Sequence, residues 1–320
     1  MKIKLSVIAA AALAVCAASL LVGPRFISPF HMSGLEKEIV LSIRLPRMVV
    51  SVLMGLGLGA SGAVLQGVLR NPLADPYILG ISSGAALTAA LGIIAGLSFW
   101  GIITIPLLAF AGALITGVFV GAMGWKRGGF LPERLLLAGV GLGFLFSAML
   151  MLLMSVSSDE GLRRATLWIF GDLSIADWSV IPYGLLFIVL GFIIALYRAK
   201  ALNALILGDD LSHSLGFSPG RERFILFIAV GLMTAASVSL GGMIGFIGLL
   251  VPHMGRFLVS ADNRVLIPLS AAGGGALLCV ADLIGRTVIP PVELPAGIIT
   301  ALIGAPYFLY LLRRRDVLGI

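Results

Sequence analysis

Gly57-Leu58-Gly59-Ala60-Ser61-Gly62 satisfies the spacing G-x-G-x-x-G. That spacing serves to cradle a pyrophosphate on a glycine turn between a strand and a helix N-terminus. Here the six residues lie inside an unbroken apolar run, so the glycines read as helix contacts. No G-x-x-x-x-G-K-[ST] occurs in the chain, so if ATP drives this protein another chain binds it. Ser61 and His253, in separate apolar runs, have the residue types of an intramembrane serine protease, which would need the two side chains within hydrogen-bond reach. The alternative is a small residue at a helix contact and a histidine at a helix end. Cys16 and Cys279 each sit in an apolar run and read as small packing residues, with no disulfide framework and no metal site. Buried carboxylates mark ion-coupled pumps, and the main candidate is Asp282, near one end of its run beside Arg286. The scarcity of such groups points to energy delivered by a partner.

Three further segments carry recognisable chemistry. Arg44-Leu45-Pro46-Arg47 is expected to open a helix at Pro46. Its two guanidinium groups suit either lipid headgroups or bidentate pairing with carboxylates of an external partner. Arg70-Asn71-Pro72-Leu73-Ala74-Asp75-Pro76 places two prolines around a tight turn, with Asp75 before Pro76 as a helix start. Gly208-Asp209-Asp210-Leu211-Ser212-His213-Ser214-Leu215-Gly216 reads as a short helix bracketed by glycines. Asp209 or Asp210 would cap it, and Leu211 and Leu215 share one face.

The elements that must hold these segments follow from composition. The chain has 320 residues, 59% hydrophobic and 12% charged, with mean hydropathy +1.11. A soluble domain carries about 25% charge, so this chain's solvent is lipid. Apolar runs at Leu5–Val22, Met48–Leu69, Tyr77–Leu97, Gly101–Gly124, Leu135–Val156, Ser179–Tyr197, Phe224–Leu240, Met243–Val259, Val265–Ile284 and Ala296–Leu312 predict an all-α polytopic membrane protein of ten transmembrane helices, a single domain over 1–320. The seventh and eighth runs divide at Gly241-Gly242. The first run reads as an uncleaved helix and not as a secretory signal. With both termini inside, 15 of the 22 basic residues, Arg127 and Arg313-Arg314-Arg315 among them, fall on the cytoplasmic side and 7, Arg25 among them, outside. The net charge of +7 is therefore a topology signal and not a nucleic-acid footprint. An outer stretch over Leu162–Phe170 is expected to form an interfacial helix. Among 41 glycines, the pairs Gly55/Gly59, Gly117/Gly121 and Gly241/Gly245 have the spacing of tight helix contacts.

Read together, the RLPR, SGAVLQ, NPLADP and LGISSGA stretches of Arg44–Gly84, then Leu135–Val140, Gly245–His253, Ala281-Asp282, Glu293–Gly297 and Gly304–Pro306, resemble the permease family of ABC importers for ferric siderophores, haem and vitamin B12. The resemblance runs nearly the whole chain, in order. It implies a homodimer of ten-span subunits in the inner membrane, two ATPase subunits inside carrying the ATP and Mg, and a solute-binding protein outside. No cofactor and no catalysis are expected on this chain. By the resemblance, Arg44, Arg47 and Arg286 meet acidic residues of the binding protein, and Gly208–Gly216 is the coupling helix. Asn71, Pro72 and Leu73 form an inner gate loop, and Pro132-Glu133 a second gate segment where the vitamin B12 member has small hydroxyl residues. A partner-independent secondary transporter and the serine protease are the readings from other classes. The sequence leaves the transported chelate open.

Overall fold

The computed structural model describes residues 2–23, 27, 28, 30, 32–126 and 129–313. Arg25, Arg127, Arg314 and Arg315, which enter the basic count above, lie outside the described residues. The helices are α1 (Lys2–Leu21), α2 (Gly34–Ile39), α3 (Leu45–Val68), α4 (Ile81–Ile94), α5 (Thr104–Gly124), α6 (Pro132–Ser155), α7 (Asp159–Ile169), α8 (Ile181–Tyr197), α9 (Ala199–Leu207), α10 (Asp209–Ser214), α11 (Pro219–Gly241), α12 (Ile247–Leu258), α13 (Asn263–Gly285) and α14 (Ala296–Arg313). Each of the ten apolar runs overlaps an α-helix. Six helical segments are long and apolar enough to cross a membrane: 34–68, 101–124, 132–155, 178–197, 219–241 and 263–285. Four apolar helices are shorter, at 10–21, 81–94, 247–258 and 296–310. The 12 residues of α12 rise ~18 Å against ~30 Å of hydrocarbon, and the irregular chain of 242–246 precedes it.

Three local expectations are corrected. Pro46 does not open a helix. Ser33 caps α2, with Glu36 returning the bond to complete a capping box. The helix then runs unbroken from Gly34 to Val68. A π-turn over Val40–Arg44 lets the Leu45 N–H reach the Val40 carbonyl, and Pro46, which has no N–H to give, follows it directly. The run Tyr77–Leu97 is not one helix. A 3₁₀ turn at Pro76–Leu79 ends at Gly80 (φ +72°), and α4 starts anew. Between α5 and α6 the chain forms a hairpin, β1 (Trp125–Lys126) against β2 (Gly129–Phe130), the only sheet among the described residues. The outer helix α7 starts at Asp159, with Ser158 as its cap, three residues before the expected start at Leu162.

α3 is the axis of the bundle and is buried along most of its length against α8, α11, α12 and α13. Its glycines make this possible, since lipid supplies no hydrophobic drive and close backbone contact must replace it. A Cβ on Gly55 would lie 2.2 Å from the Gly274 carbonyl oxygen, one on Gly59 2.1 Å from that of Ser270, and one on Gly62 2.0 Å from that of Gly248. The other glycine pairs behave differently. A Cβ on Gly117 would come no closer than 3.8 Å to any neighbour, and one on Gly245 meets nothing within 4 Å. In each of these pairs only the partner is close-packed, and against side chains: a Cβ on Gly121 would lie 3.0 Å from Phe227 and one on Gly241 2.8 Å from Leu173. Gly62→Ala must push the α12 backbone away and should lower the apparent Tm in detergent by several degrees, as overpacking costs about 1–3 kcal/mol. Gly231→Ala, with open space around the new methyl, should hold or raise it, because alanine favours helix by up to ~1 kcal/mol. Equal Tm for the two variants would refute the contact.

Candidate functional site

At the end of α3 and α13 that the basic bias marks as outer, the three expected docking arginines converge, but inward. Arg44 is 7% exposed, Arg47 8% and Arg286 4%. Arg47 Nε donates to Asp282 Oδ1 at 2.8 Å, and its Nη1 to Glu293 Oε2 at 2.6 Å. Arg286 lies one helical turn from Asp282, with Nε 3.5 Å from Oδ2, and its Nη2 donates to the Ser19 carbonyl at 2.5 Å and hydroxyl at 2.7 Å. Arg44 donates to the carbonyls of Leu20 and Leu21 at the C-terminus of α1, where a cation complements the helix dipole. The cluster ties α1, α3, α13 and the 293 segment together. The spacing of Asp282 and Arg286 signalled their pairing. Glu293 as a second partner has no local signal, because it reaches Arg47 across 246 positions.

At the opposite end, α10 forms between Gly208 (φ +126°) and Gly216 (φ +84°). Left-handed and extended positive-φ conformations suit glycine and break the helix from its neighbours. Leu211 and Leu215 are 55% and 59% exposed, with no apolar cover in this chain. Neither Asp209 nor Asp210 caps the helix, since its N-cap residue is Gly208. Asp209 is engaged elsewhere, accepting from Arg223 at 2.9 and 2.5 Å and from Arg70. The Arg223 guanidinium, followed by Arg70, holds its carboxyl below the usual carboxylate range.

The loop that follows α3 is knotted. Leu73 N–H donates to Asn71 Oδ1 at 2.9 Å, and Ala74 N–H to the Asn71 carbonyl at 3.1 Å. Pro132 occupies the first turn of α6 with Glu133 beside it. No hydrogen bond or ion pair joins 71–73 to 132–133 among the described residues, so the two expected gate segments are not bonded to each other within one subunit.

Asp75, Tyr77 and Ile78 from this loop line a cavity of about 730 Å³ with Ile169 and Phe170 after α7, Met243, Gly245, Phe246 and Leu249 at the break before α12, and Gly297, Ile298, Ala301 and Leu302 of α14. The lining is apolar apart from Asp75 and the Tyr77 hydroxyl. Sequence reasoning did not find these residues, because four separate segments contribute them. Gln66 of α3 fixes one wall by donating to the carbonyls of Gly248 and Leu249 at 3.1 and 3.3 Å.

Asp75 is buried at 9% exposure and accepts from the Tyr77 N–H at 2.8 Å. Burial pushes its carboxyl up to about 6, against the pull of backbone N–H groups of Tyr77, Leu249 and Phe246. The folded value lies above the unfolded 3.8, so the folded state favours the protonated form. Stability is full below the unfolded value, falls as pH rises towards 6, and stays low above it. Asp75→Asn keeps an acceptor and removes the charge. It should raise the apparent Tm at pH 7.5, with a ceiling of about 3 kcal/mol, and flatten the Tm profile between pH 4 and 6. A variant profile that still falls across that window would exclude Asp75 as the source.

Ser61 and His253 do not pair. Ser61 Oγ donates to the Leu58 carbonyl of its own helix at 3.0 Å, and His253 Nε2 has no hydrogen-bond partner. No group of three His, Cys, Asp or Glu able to hold a metal occurs among the described residues.

Comparison with known proteins agrees with this arrangement. The chain is 44% identical over 290 residues to the cobalamin import system permease of Halobacterium salinarum, covering 90% of this chain and 77% of that one. It is 40% identical over 288 residues to the hemin transport system permease of Yersinia pestis, covering 87% and 84%. It is 37% identical over 294 residues to the iron(3+)-hydroxamate import system permease of Bacillus subtilis, covering 90% and 87%. A solved structure of a metal-chelate type ABC transporter in an inward-facing conformation superposes with TM-score 0.89 at 29% identity, covering 98% of this chain and all of that one. Residues 5–314 match the model of the FecCD transport family, and this chain belongs to that family.

Proposed function

We propose that two copies of this chain form the pore of an ABC importer in the inner membrane, with both termini cytoplasmic, and that the pore passes a metal chelate or corrinoid of the ferric siderophore, haem or cobalamin class. The observation that carries this reading is the cavity of about 730 Å³ lined by four converging segments in a chain whose family model spans 5–314. A wide apolar passage with one carboxylate grips cargo weakly, which suits release, and leaves affinity to a separate binding protein. The flanking helix α6 is only 11% buried over its most apolar window, the least of the six long helices. A second copy would cover that face. Two ATPase subunits, holding the ATP and Mg, would dock on Leu211 and Leu215. A secondary transporter is disfavoured because Asp282 already has cationic partners on both sides.

Arg44, Arg47 and Arg286 hold the outer end together, so reversing them would test folding and docking at once. For the binding protein, the exposed Arg163 and Arg164 of α7 are the cleaner test. Arg163→Glu with Arg164→Glu should weaken its binding, and more so at low salt, because exposed charges are screened over ~8 Å at physiological ionic strength. The deciding experiment reconstitutes the permease with its ATPase and binding protein in proteoliposomes and follows ATP-dependent uptake of a ferric hydroxamate, haemin and cobalamin. Uptake of one of them only with all three components supports the reading. Uptake without ATPase would replace it with a secondary transporter.

A further inference from the structure

Asp209 and Arg70 do more than hold two loops in place. Asp209 is the first residue of α10, the helix bracketed by two positive-φ glycines. Its carboxylate is shared between two elements. Arg223, 5% exposed near the start of α11, donates to both of its oxygens, and Arg70, two residues beyond the end of α3, pairs with Oδ1. Arg70 also donates through Nε to the Leu205 carbonyl at 2.7 Å, in the last turn of α9. It stands at φ +49°, a region few non-glycine residues occupy. Its backbone leads directly into the Asn71 knot, where Asn71 accepts from Leu73 and Ala74. That knot ends at Asp75 and Tyr77, which line the cavity floor against Phe246 and Leu249. The chain of bonded groups is therefore continuous: α10, Asp209, Arg70, the 71–74 knot, Asp75, cavity.

From this geometry we infer that the Asp209–Arg70 ion pair is the link by which movement of α10 displaces the 71–80 loop and opens or closes the cavity floor. The inference rests on α10 being the ATPase-docking helix, and it adds which side chains carry the displacement inward. Asp209 and Arg70 are positioning residues and touch no cargo. A knotted loop transmits a push because its internal hydrogen bonds make it move as one body. The alternate route, through Arg223 into α11, anchors Asp209 but leads away from the loop. Coupling between sites needs an element that both can bias, and the 71–80 loop meets that need, with α10 at one end and the cavity at the other.

The test uses the full permease–ATPase complex and compares hydrogen–deuterium exchange over 71–80 without nucleotide and with ATP trapped by vanadate. The variant is Arg70→Gln, which breaks the link while leaving the Arg223–Asp209 pair intact. Arg70 is 39% exposed in its side chain, so the fold should tolerate the change, and Arg70→Lys serves as the conservative control. In wild type, nucleotide should change exchange in 71–80 at least fivefold. In Arg70→Gln that change should vanish while ATPase binding and apparent Tm are kept, and Arg70→Lys should recover part of it. A nucleotide response in Arg70→Gln equal to wild type would overturn the link, and so would a wild-type loop indifferent to nucleotide. Failure of the underlying reading looks different. In that case the ATPase would bind Leu211→Asp as well as wild type.

Discussion

Asp282→Asn should leave the permease much less stable, by about 3–5 kcal/mol, because it takes the carboxylate from beside Arg286 and one of two carboxylates from Arg47 in a buried site. Arg47 loses its 2.8 Å bond, and Arg286 loses its neighbour one turn away. Burying an uncompensated charge costs more than the pair contributed, so the remedy is informative. Asp282→Asn combined with Arg47→Met should be more stable than Asp282→Asn alone, since the second change removes a buried cation that keeps only the half-exposed Glu293 and relieves its repulsion of Arg286. Glu293, 39% exposed in its side chain, can turn to water when Arg47 is gone. The measurement is apparent Tm and recovery of monodisperse protein after detergent extraction. A single variant with wild-type Tm, or a double variant worse than the single by the full cost of Arg47→Met, would mean that water already reaches the cluster. The two changes touch the same carboxylate, so additivity is not expected.

Leu211→Asp and Leu215→Asp should each leave a folded permease that no longer transports. Both side chains are more than half exposed, and surface changes of this kind shift stability by no more than about 0.5 kcal/mol. Against an apolar groove of an ATPase, the same carboxylate would be desolvated without a partner, which costs at least ~2 kcal/mol. That is more than tenfold in affinity. Uptake should fall at least tenfold, and ATPase subunits should no longer co-purify with the permease. Full uptake in both variants would remove α10 from the ATPase interface.

Much of the fold was legible in the sequence for a physical reason. In lipid, backbone groups must pair within their own helix, so each apolar run had to be largely helical, and each overlaps an α-helix. The glycine bracket at 208 and 216 marked α10 because those positions take backbone angles that other residues avoid. The motifs Arg44–Gly84 and Gly245–His253 carried the family resemblance in order along the chain. Reading stopped where partners are distant. The charge of Arg47 was visible, but not that Asp282 and Glu293 meet it from 235 and 246 positions away. An arginine at an outer boundary looks the same in sequence whether it faces a partner protein or its own bundle. Likewise Asp209 read as a helix cap until Arg70 and Arg223 were found at its carboxylate. Gly55/Gly59 and Gly117/Gly121 share one spacing, and only the position of neighbouring helices decided that the first pair packs against backbone while Gly117 has room for a methyl beside Ile81. The sequence alone determined that the apolar runs become helices, because that follows from local hydrogen bonding and solvent, but not where Tyr77–Leu97 breaks or that the second helix begins at Gly34. Which charges neutralise one another, and which four segments enclose the cavity, depended on tertiary packing, because those groups meet only after the helices have assembled.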